Sequence, residues 1–305
     1  MVTSRQASRE TVGFIGLGAM GRPMANSLMA AGYQVLCHDL HQPAVDRLVA
    51  DGAKAAGSAA TLAAAAAVVF TMLPEARDVR QALLGPDGAA EGAGAGSIFV
   101  DASTIDPASI REIGGDLKAR GVTLLDAGVS GNPDMAWKGT VTLMVGGPRA
   151  AFETCQPMLS ALCSTLIHTG ALGSAKVVKL ANNMVGAVTM AAIAEAFNFA
   201  RQDGVEPGVL YEAMMGSWGR CFQLEVRPPL PGLAEGSPAD HGYTPDFSVD
   251  YMAKDLSYFL RTAEASRSPT AVAAATQQLF IASSAAGDGA KDISIVSRAL
   301  ERNRQ

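Results

Sequence analysis

The run Val12-Gly13-Phe14-Ile15 passes without a break into Gly16-Leu17-Gly18-Ala19-Met20-Gly21, and this junction limits the fold of the chain more than any other feature. Apolar residues bounded by glycine predict a short buried strand, and the spacing after Gly21 predicts a helix to about Ala31. Glycines at such a junction permit a tight turn, close approach of another molecule to the backbone, and close packing of helix on strand. The helix N-terminus then presents unpaired N–H groups and the positive end of its dipole, which suits a pyrophosphate. GxGxxG alone also fits a purely structural turn. Here a second strand, Gln34 to Cys37, follows the helix and leads to Asp39, whose carboxylate can accept from the ribose hydroxyls of an adenosine and would repel a 2′-phosphate. The cofactor expected is therefore NAD rather than NADP, bound through Gly16, Leu17, Gly18, Ala19, Met20, Gly21 and Asp39. The competing role for Asp39 is to cap the next helix, which starts near Pro43.

Beyond this unit, short β-rich runs continue to alternate with helical stretches up to about Thr169, the pattern of a parallel sheet covered by helices on both faces. Strands are expected at Val68 to Met72, Ile98 to Val100 and Thr123 to Leu125, with Val141 to Val145 and Thr165 to His168 as possible extensions of the sheet. From Ser174 to about Gln202 only Gly186 interrupts an apolar helical periodicity, so a single helix on the order of 40 Å long is expected to leave the first domain and lead the second. The fold expected is a doubly wound α/β domain of Rossmann type followed by an all-α domain. The divisions are a flexible N-terminus over 1–10, an NAD-binding domain over 11–173 and a helical substrate and oligomerisation domain over 174–305. The proline- and glycine-rich stretch from Arg227 to Pro245 breaks the helical pattern, and long loops of this kind are usually functional.

Composition narrows the class. A net charge of -5 with scattered Lys and Arg argues against nucleic acid as a partner. Four cysteines without metal-like spacing read as reduced thiols, and no metal site is expected. The window Ala59 to Leu73 falls short of a bilayer span, so no membrane partner is expected, and the polar start MVTSRQASRE favours a cytoplasmic location.

Lys179 and Asn183 stand one turn apart on the long helix, within about 6 Å at Cβ, so they can meet one ligand. A neutral amine in a partly desolvated cleft can remove the hydroxyl proton of an alcohol while hydride leaves its carbon, and the amide of Asn183 can hold the oxygen. By spacing alone, such a pair also fits a solvated helix face.

The surrounding residues decide between the two. Gly170, Gly173, Lys179, Asn182 and Asn183 match GxxGxxxxxKxxNN, and this segment resembles the active-site signature of the β-hydroxyacid dehydrogenase family. The resemblance runs from Val12 to about Ala299. It includes Met72-Leu73-Pro74, Asp101-Ala102-Ser103-Thr104-Ile105-Asp106-Pro107, Asp126 to Gly131 (DAGVSG) and Met252-Ala253-Lys254-Asp255-Leu256. Within the family, Gly219-Arg220-Cys221, Pro229-Leu230-Pro231-Gly232 and Gly242-Tyr243 are most similar to 3-hydroxyisobutyrate dehydrogenases. The resemblance implies that Lys179 is the general acid/base and Asn183 a substrate partner. It also implies that Ser130 and Gly131 receive the substrate carboxylate, that Met72, Leu73, Pro74 and Thr104 line the nicotinamide and ribose, and that Lys254 reaches the cofactor from the second domain. Without it, Lys254-Asp255 reads as a surface ion pair.

One departure bears on the substrate. Where the family usually has APVSGG, this chain has Ala127-Gly128-Val129-Ser130-Gly131-Asn132. Asn132 tolerates the left-handed backbone a glycine would adopt, and its amide is expected beside the carboxylate site, favouring a more polar headgroup. The activity implied is NAD-dependent oxidation of 3-hydroxyisobutyrate or a close analogue to its semialdehyde, in a cleft between the domains. L-serine, 3-hydroxypropionate, tartronate semialdehyde or a sulfonated analogue are the rival substrates. Imine reduction is disfavoured by Lys179, and a non-catalytic dinucleotide sensor by the joint presence of Lys179, Asn183, Ser130 and Lys254. Trp218 and Arg220 are assigned no role, with the core as the expected place for the aromatic. The apolar long helix implies a homodimer or homotetramer, as in other members of the family.

Overall fold

The computed structural model describes residues 10–302, so the expectation of a flexible N-terminus over 1–10 falls almost wholly outside the described residues. The chain forms two compact units that part between Lys179 and Leu180.

The first unit alternates strand and helix from its start. It runs β1 Thr11–Ile15, α1 Gly21–Ala30, β2 Gln34–His38, α2 Gln42–Ala50, β3 Lys54–Ala55, α3 Ala59–Ala65 and β4 Val68–Thr71. It continues with α4 Ala76–Leu84, α5 Ala89–Gly92, β5 Ile98–Asp101, α6 Pro107–Lys118, β6 Thr123–Ser130, α7 Pro133–Trp137, β7 Val141–Gly146, α8 Arg149–Ser160 and β8 Cys163–Gly170. The strands make an eight-stranded sheet in the order β3-β2-β1-β4-β5-β6-β7-β8. Every pairing is parallel except β6 with β7. The doubly wound domain is as expected, and both late runs join the sheet. The two-residue edge strand β3 was not foreseen, because neither Lys54 nor Ala55 is buried and the pair carries no alternating pattern.

Strands β4 and β5 are buried on both faces, which explains their unbroken apolar runs. Phe14, Phe70, Val100 and Leu125 pack on one face with Met24 and Leu28 of α1 and Phe152 of α8. Val69, Phe99 and Leu124 pack on the other with Leu62 of α3, Val79 and Leu83 of α4, and Ile110 and Leu117 of α6. Each such side chain contributes roughly 1.5–3 kcal/mol on burial, so the sheet that carries the strand ends is held rigid from both sides.

The second unit is helical. Helix α9, Ser174–Gln202, is the single long helix expected, and the two compact units part inside it. Its first turns are bound to the sheet of the first unit through contacts described below. Further on, Ala187, Met190, Ile193, Ala194 and Phe197 pack with Leu224, Met252, Leu256, Phe280 and Ile295. By length and hydropathy α9, and not only the shorter window Ala59 to Leu73, bears on a bilayer span, since it is long and apolar enough to cross one. In this chain one part of α9, from Ala187 to Phe197, lies in the core of the second unit, while Val185 and Phe199 are exposed. After α9 come α10 Pro207–Met215, α11 Phe222–Val226, α12 Val249–Ala265, α13 Ala271–Ser283 and α14 Ser297–Arg302.

The segment between α11 and α12 holds only a short 3-10 turn, Pro238–His241, yet it is anchored. The Tyr243 hydroxyl donates to the Pro229 carbonyl at 2.9 Å, and Asp292 accepts from Arg227 Nη1 and from the amides of Asp246 and Phe247. Trp218 is fully exposed, not in the core as expected, and Arg220 pairs with Glu225 at 2.6 Å.

Candidate active site

Gly16 opens the turn after β1 with φ +93°, a left-handed value that an L side chain rarely adopts. A Cβ there would fall 2.3 Å from the Met72 carbonyl oxygen and 2.8 Å from Leu73 Cδ2, so the turn lies directly against the segment after β4. A Cβ on Gly21 would meet the Gly16 carbonyl oxygen at 1.9 Å, while at Gly18 nothing stands within 4 Å. The two outer glycines are thus required by the protein's own packing, and the middle one leaves its space open for a ligand. No side chain caps the N-terminus of α1. A cradle that a Cβ would fill, beside an uncapped helix start, fits the diphosphate of a dinucleotide.

Asp39 stands just beyond β2, and its Oδ2 accepts from the Leu17 amide at 2.6 Å while Oδ1 accepts from the His41 amide at 2.7 Å. The carboxylate is therefore fixed against the glycine turn. It does not cap α2 in the usual way, because the capping position there is His41 and no side chain closes it. Behind it, burial and the Asp39 charge push the Cys37 thiol up to about 11, and burial pushes Cys155 up to about 12. All four cysteines are free, and these two are inert thiols.

The strand ends beyond the turn are tied to one another. The Leu73 amide donates to Ser103 Oγ at 2.8 Å, which places Leu73 and Pro74 next to the segment carrying Thr104. Ser103 Oγ in turn donates to Asp101 Oδ1 at 2.7 Å, as does Thr71 Oγ1.

Lys179 is buried, 8% exposed, at the end of the first unit. A Cβ on Gly128 would lie 2.9 Å from Lys179 Cβ and 3.1 Å from the Ala175 carbonyl oxygen, so α9 lies directly on β6 where that strand runs into Ser130 and Gly131. Gly128 stands where the family usually has proline and brings no Cβ to this contact. One carboxylate fixes the start of α9. Asp126, paired in register with Asp101 on β5, accepts from the Gly173 amide at 2.7 Å and the Lys176 amide at 3.0 Å. These are orphan donors of the first turn. Gly146 faces Asp126 across β6 and β7, and a Cβ there would fall 2.5 Å from Asp126 Oδ1.

Asn183 lies one turn beyond Lys179, in the second unit, and is 8% exposed. Its Nδ2 donates to Asp255 Oδ2 at 2.7 Å. Asp255 is itself 3% exposed, not at the surface as its spacing alone implied, and Lys254 lies over the rings of Tyr251 and Tyr258 at 5.3 and 5.8 Å.

Asn132 departs from expectation. Its φ is -104°, an ordinary extended value, and its Oδ1 accepts from the Met135 amide at 2.9 Å to cap α7. The left-handed position is Gly131, at φ +149°. Sequence reasoning quoted Asp101, Asp126 and Asp255 inside motifs without giving them a role in the site, and it did not single out Lys176. Burial of charge was the only signal, and spacing does not carry it.

Comparison with known proteins identifies the family. The family model described as the NAD binding domain of 6-phosphogluconate dehydrogenase matches residues 11–170, and that described as NAD-binding of NADP-dependent 3-hydroxyisobutyrate dehydrogenase matches 173–300. The chain is 37% identical to a probable mitochondrial 3-hydroxyisobutyrate dehydrogenase of Dictyostelium discoideum, over 97% of this chain and 92% of that one. It is 39% identical to an NAD-dependent L-serine dehydrogenase of Pseudomonas aeruginosa, over 95% of this chain and 97% of that one. Among solved structures, the 3-hydroxyisobutyrate dehydrogenase of Mycobacterium tuberculosis with L-serine matches with a TM-score of 0.90 at 34% identity, covering 96% of this chain and 99% of that one.

Proposed function

Because the chain belongs to the β-hydroxyacid dehydrogenase family of NAD-dependent oxidoreductases, which includes the 3-hydroxyisobutyrate dehydrogenases, we propose that it oxidises 3-hydroxyisobutyrate or a close 3-hydroxy acid to the semialdehyde, with Lys179 as the base. NAD, held by the turn from Gly16 to Gly21, would supply the acceptor for the hydride that leaves the carbinol carbon. The Lys179 amine takes the hydroxyl proton, so the alcohol loses two hydrogens and a carbonyl forms. The backbone amides near Ser130 and Gly131 hold the substrate carboxylate, and Asn183, with one N–H engaged by Asp255, has a second to offer the substrate oxygen. The turn from Gly16 to Gly21 takes the diphosphate, Asp39 the ribose hydroxyls, and Met72, Leu73, Pro74 and Thr104 the nicotinamide side, with Lys254 as a further cofactor contact.

The observation that carries this reading is the burial of Lys179 against Gly128, on the strand that leads into the Ser130 loop. L-serine is the second substrate to test, since a relative at 39% identity is named for it. The experiment is NADH formation with 3-hydroxyisobutyrate, L-serine and 3-hydroxypropionate, repeated on Lys179→Ala. Wild type turns over one of these acids with NAD, and the variant loses kcat on the order of a thousandfold while still binding NADH. Unchanged turnover in the variant defeats the mechanism.

We also infer that copies of the chain associate as a homodimer or homotetramer. Val185 and Phe199 of α9 are 58% and 71% exposed, and Val209 of α10 is 61% exposed. Light scattering reads the state directly.

A further inference from the structure

Lys176 stands one turn before Lys179 on α9 and is 1% exposed. A charge so deeply buried is costly unless every donor is met. Its three N–H groups are all used, on the carbonyls of Asp101 at 2.9 Å, Ser103 at 2.6 Å and Ala127 at 3.0 Å. Asp101 Oδ2 lies 2.9 Å from the same nitrogen as its counter-ion, without the alignment of a directed hydrogen bond.

A buried ion pair adds little stability over an apolar pair of the same volume, so its contribution is geometry. Here that geometry is specific. The Asp101 carboxylate also accepts the Thr71 and Ser103 hydroxyls, and Ser103 Oγ accepts the Leu73 amide. One ammonium therefore holds together the segment after β4, the Ser103–Thr104 segment after β5, β6 just before Gly128, and the first turns of α9. These are the segments assigned above to nicotinamide, substrate carboxylate and base. We propose that Lys176 is a positioning residue for the reaction, setting where the Lys179 amine stands relative to the cofactor and substrate segments. The proposal rests on the assignment of Lys179 as base.

The test is Lys176→Met in the full chain with NAD and 3-hydroxyisobutyrate, with kcat counted per NADH-binding site. Because reacting groups misplaced by about 1 Å lose rate on the order of a hundredfold, kcat per binding site is expected to fall between about tenfold and a hundredfold. KM for the hydroxy acid stays near its wild-type value. A lower melting temperature and fewer binding sites, with kcat per site unchanged, would mean a merely structural lysine and overturns the proposal. If the single variant leaves Asp101 uncompensated and does not fold, Lys176→Met with Asp101→Asn restores charge balance and is judged by the same criterion. Lys179→Ala, run beside it, separates the two ideas. A dead Lys179→Ala with an unaffected Lys176→Met removes only the positioning role, and an active Lys179→Ala removes both.

Discussion

The turn from Gly16 to Gly21 and the cluster of Asp101, Asp126 and Lys176 both belong to the first unit, but one is made of backbone and the other of charge. The turn works by what is missing: without Cβ atoms, the Gly16 backbone lies against Met72 and α1 starts against Gly16. The cluster works by what is present. Two carboxylates on adjacent strands and one ammonium satisfy the start of a helix and three strand-end carbonyls. The first leaves amides open toward a ligand, whereas the second closes every donor inward. A binding loop and a positioning device can therefore share a unit and still answer to different substitutions.

The sharpest way to break this contrast is to add atoms to the turn. Gly16→Val combines a strained positive φ with a Cβ 2.3 Å from the Met72 oxygen. NADH affinity is expected to fall on the order of a hundredfold. Fluorescence titration of NADH, with circular dichroism to confirm the fold, checks it. Retained affinity would mean that the turn tolerates a side chain and that its glycines are incidental.

Asp126→Asn probes the other region by removing charge while keeping shape. Both carboxylate oxygens accept backbone N–H groups, and the amide nitrogen of asparagine would face one of those donors. Losing a charge-assisted bond at a fully buried site costs about 2–3 kcal/mol of unfolding free energy. Denaturant titration measures it, and NADH affinity should move little. If affinity fell as far as in Gly16→Val, the two regions would not be separable.

The contrast also explains what could be read from the sequence. The glycine turn, Asp39 and the long helix were legible because local conformation demands particular residues in one continuous stretch: Gly16 needs φ +93°, and α9 needs uninterrupted periodicity. Lys179 and Asn183 were legible through one helical turn and a family signature. Lys176 and Asp126 were not, because their roles exist only once β5 and β6 pair with Asp101 opposite Asp126, a contact between distant stretches. The residues that bind α9 to the first unit look, in sequence, like any charged residues near a helix start.

Asn132 is the mildest probe, since it lies where binding and structure compete for one side chain. Its departure from the family pattern suggested a reader of the substrate headgroup, but its oxygen is turned to the Met135 amide and caps α7. Asn132→Ala should then cost about 1 kcal/mol of stability, the ordinary price of a lost cap. It should leave the order of kcat/KM between 3-hydroxyisobutyrate and L-serine as it was. Steady-state kinetics on both acids, together with a denaturation curve, resolves the matter. A stable variant with a reversed substrate order would show that the amide reaches the headgroup and that the capping bond gives way when substrate enters.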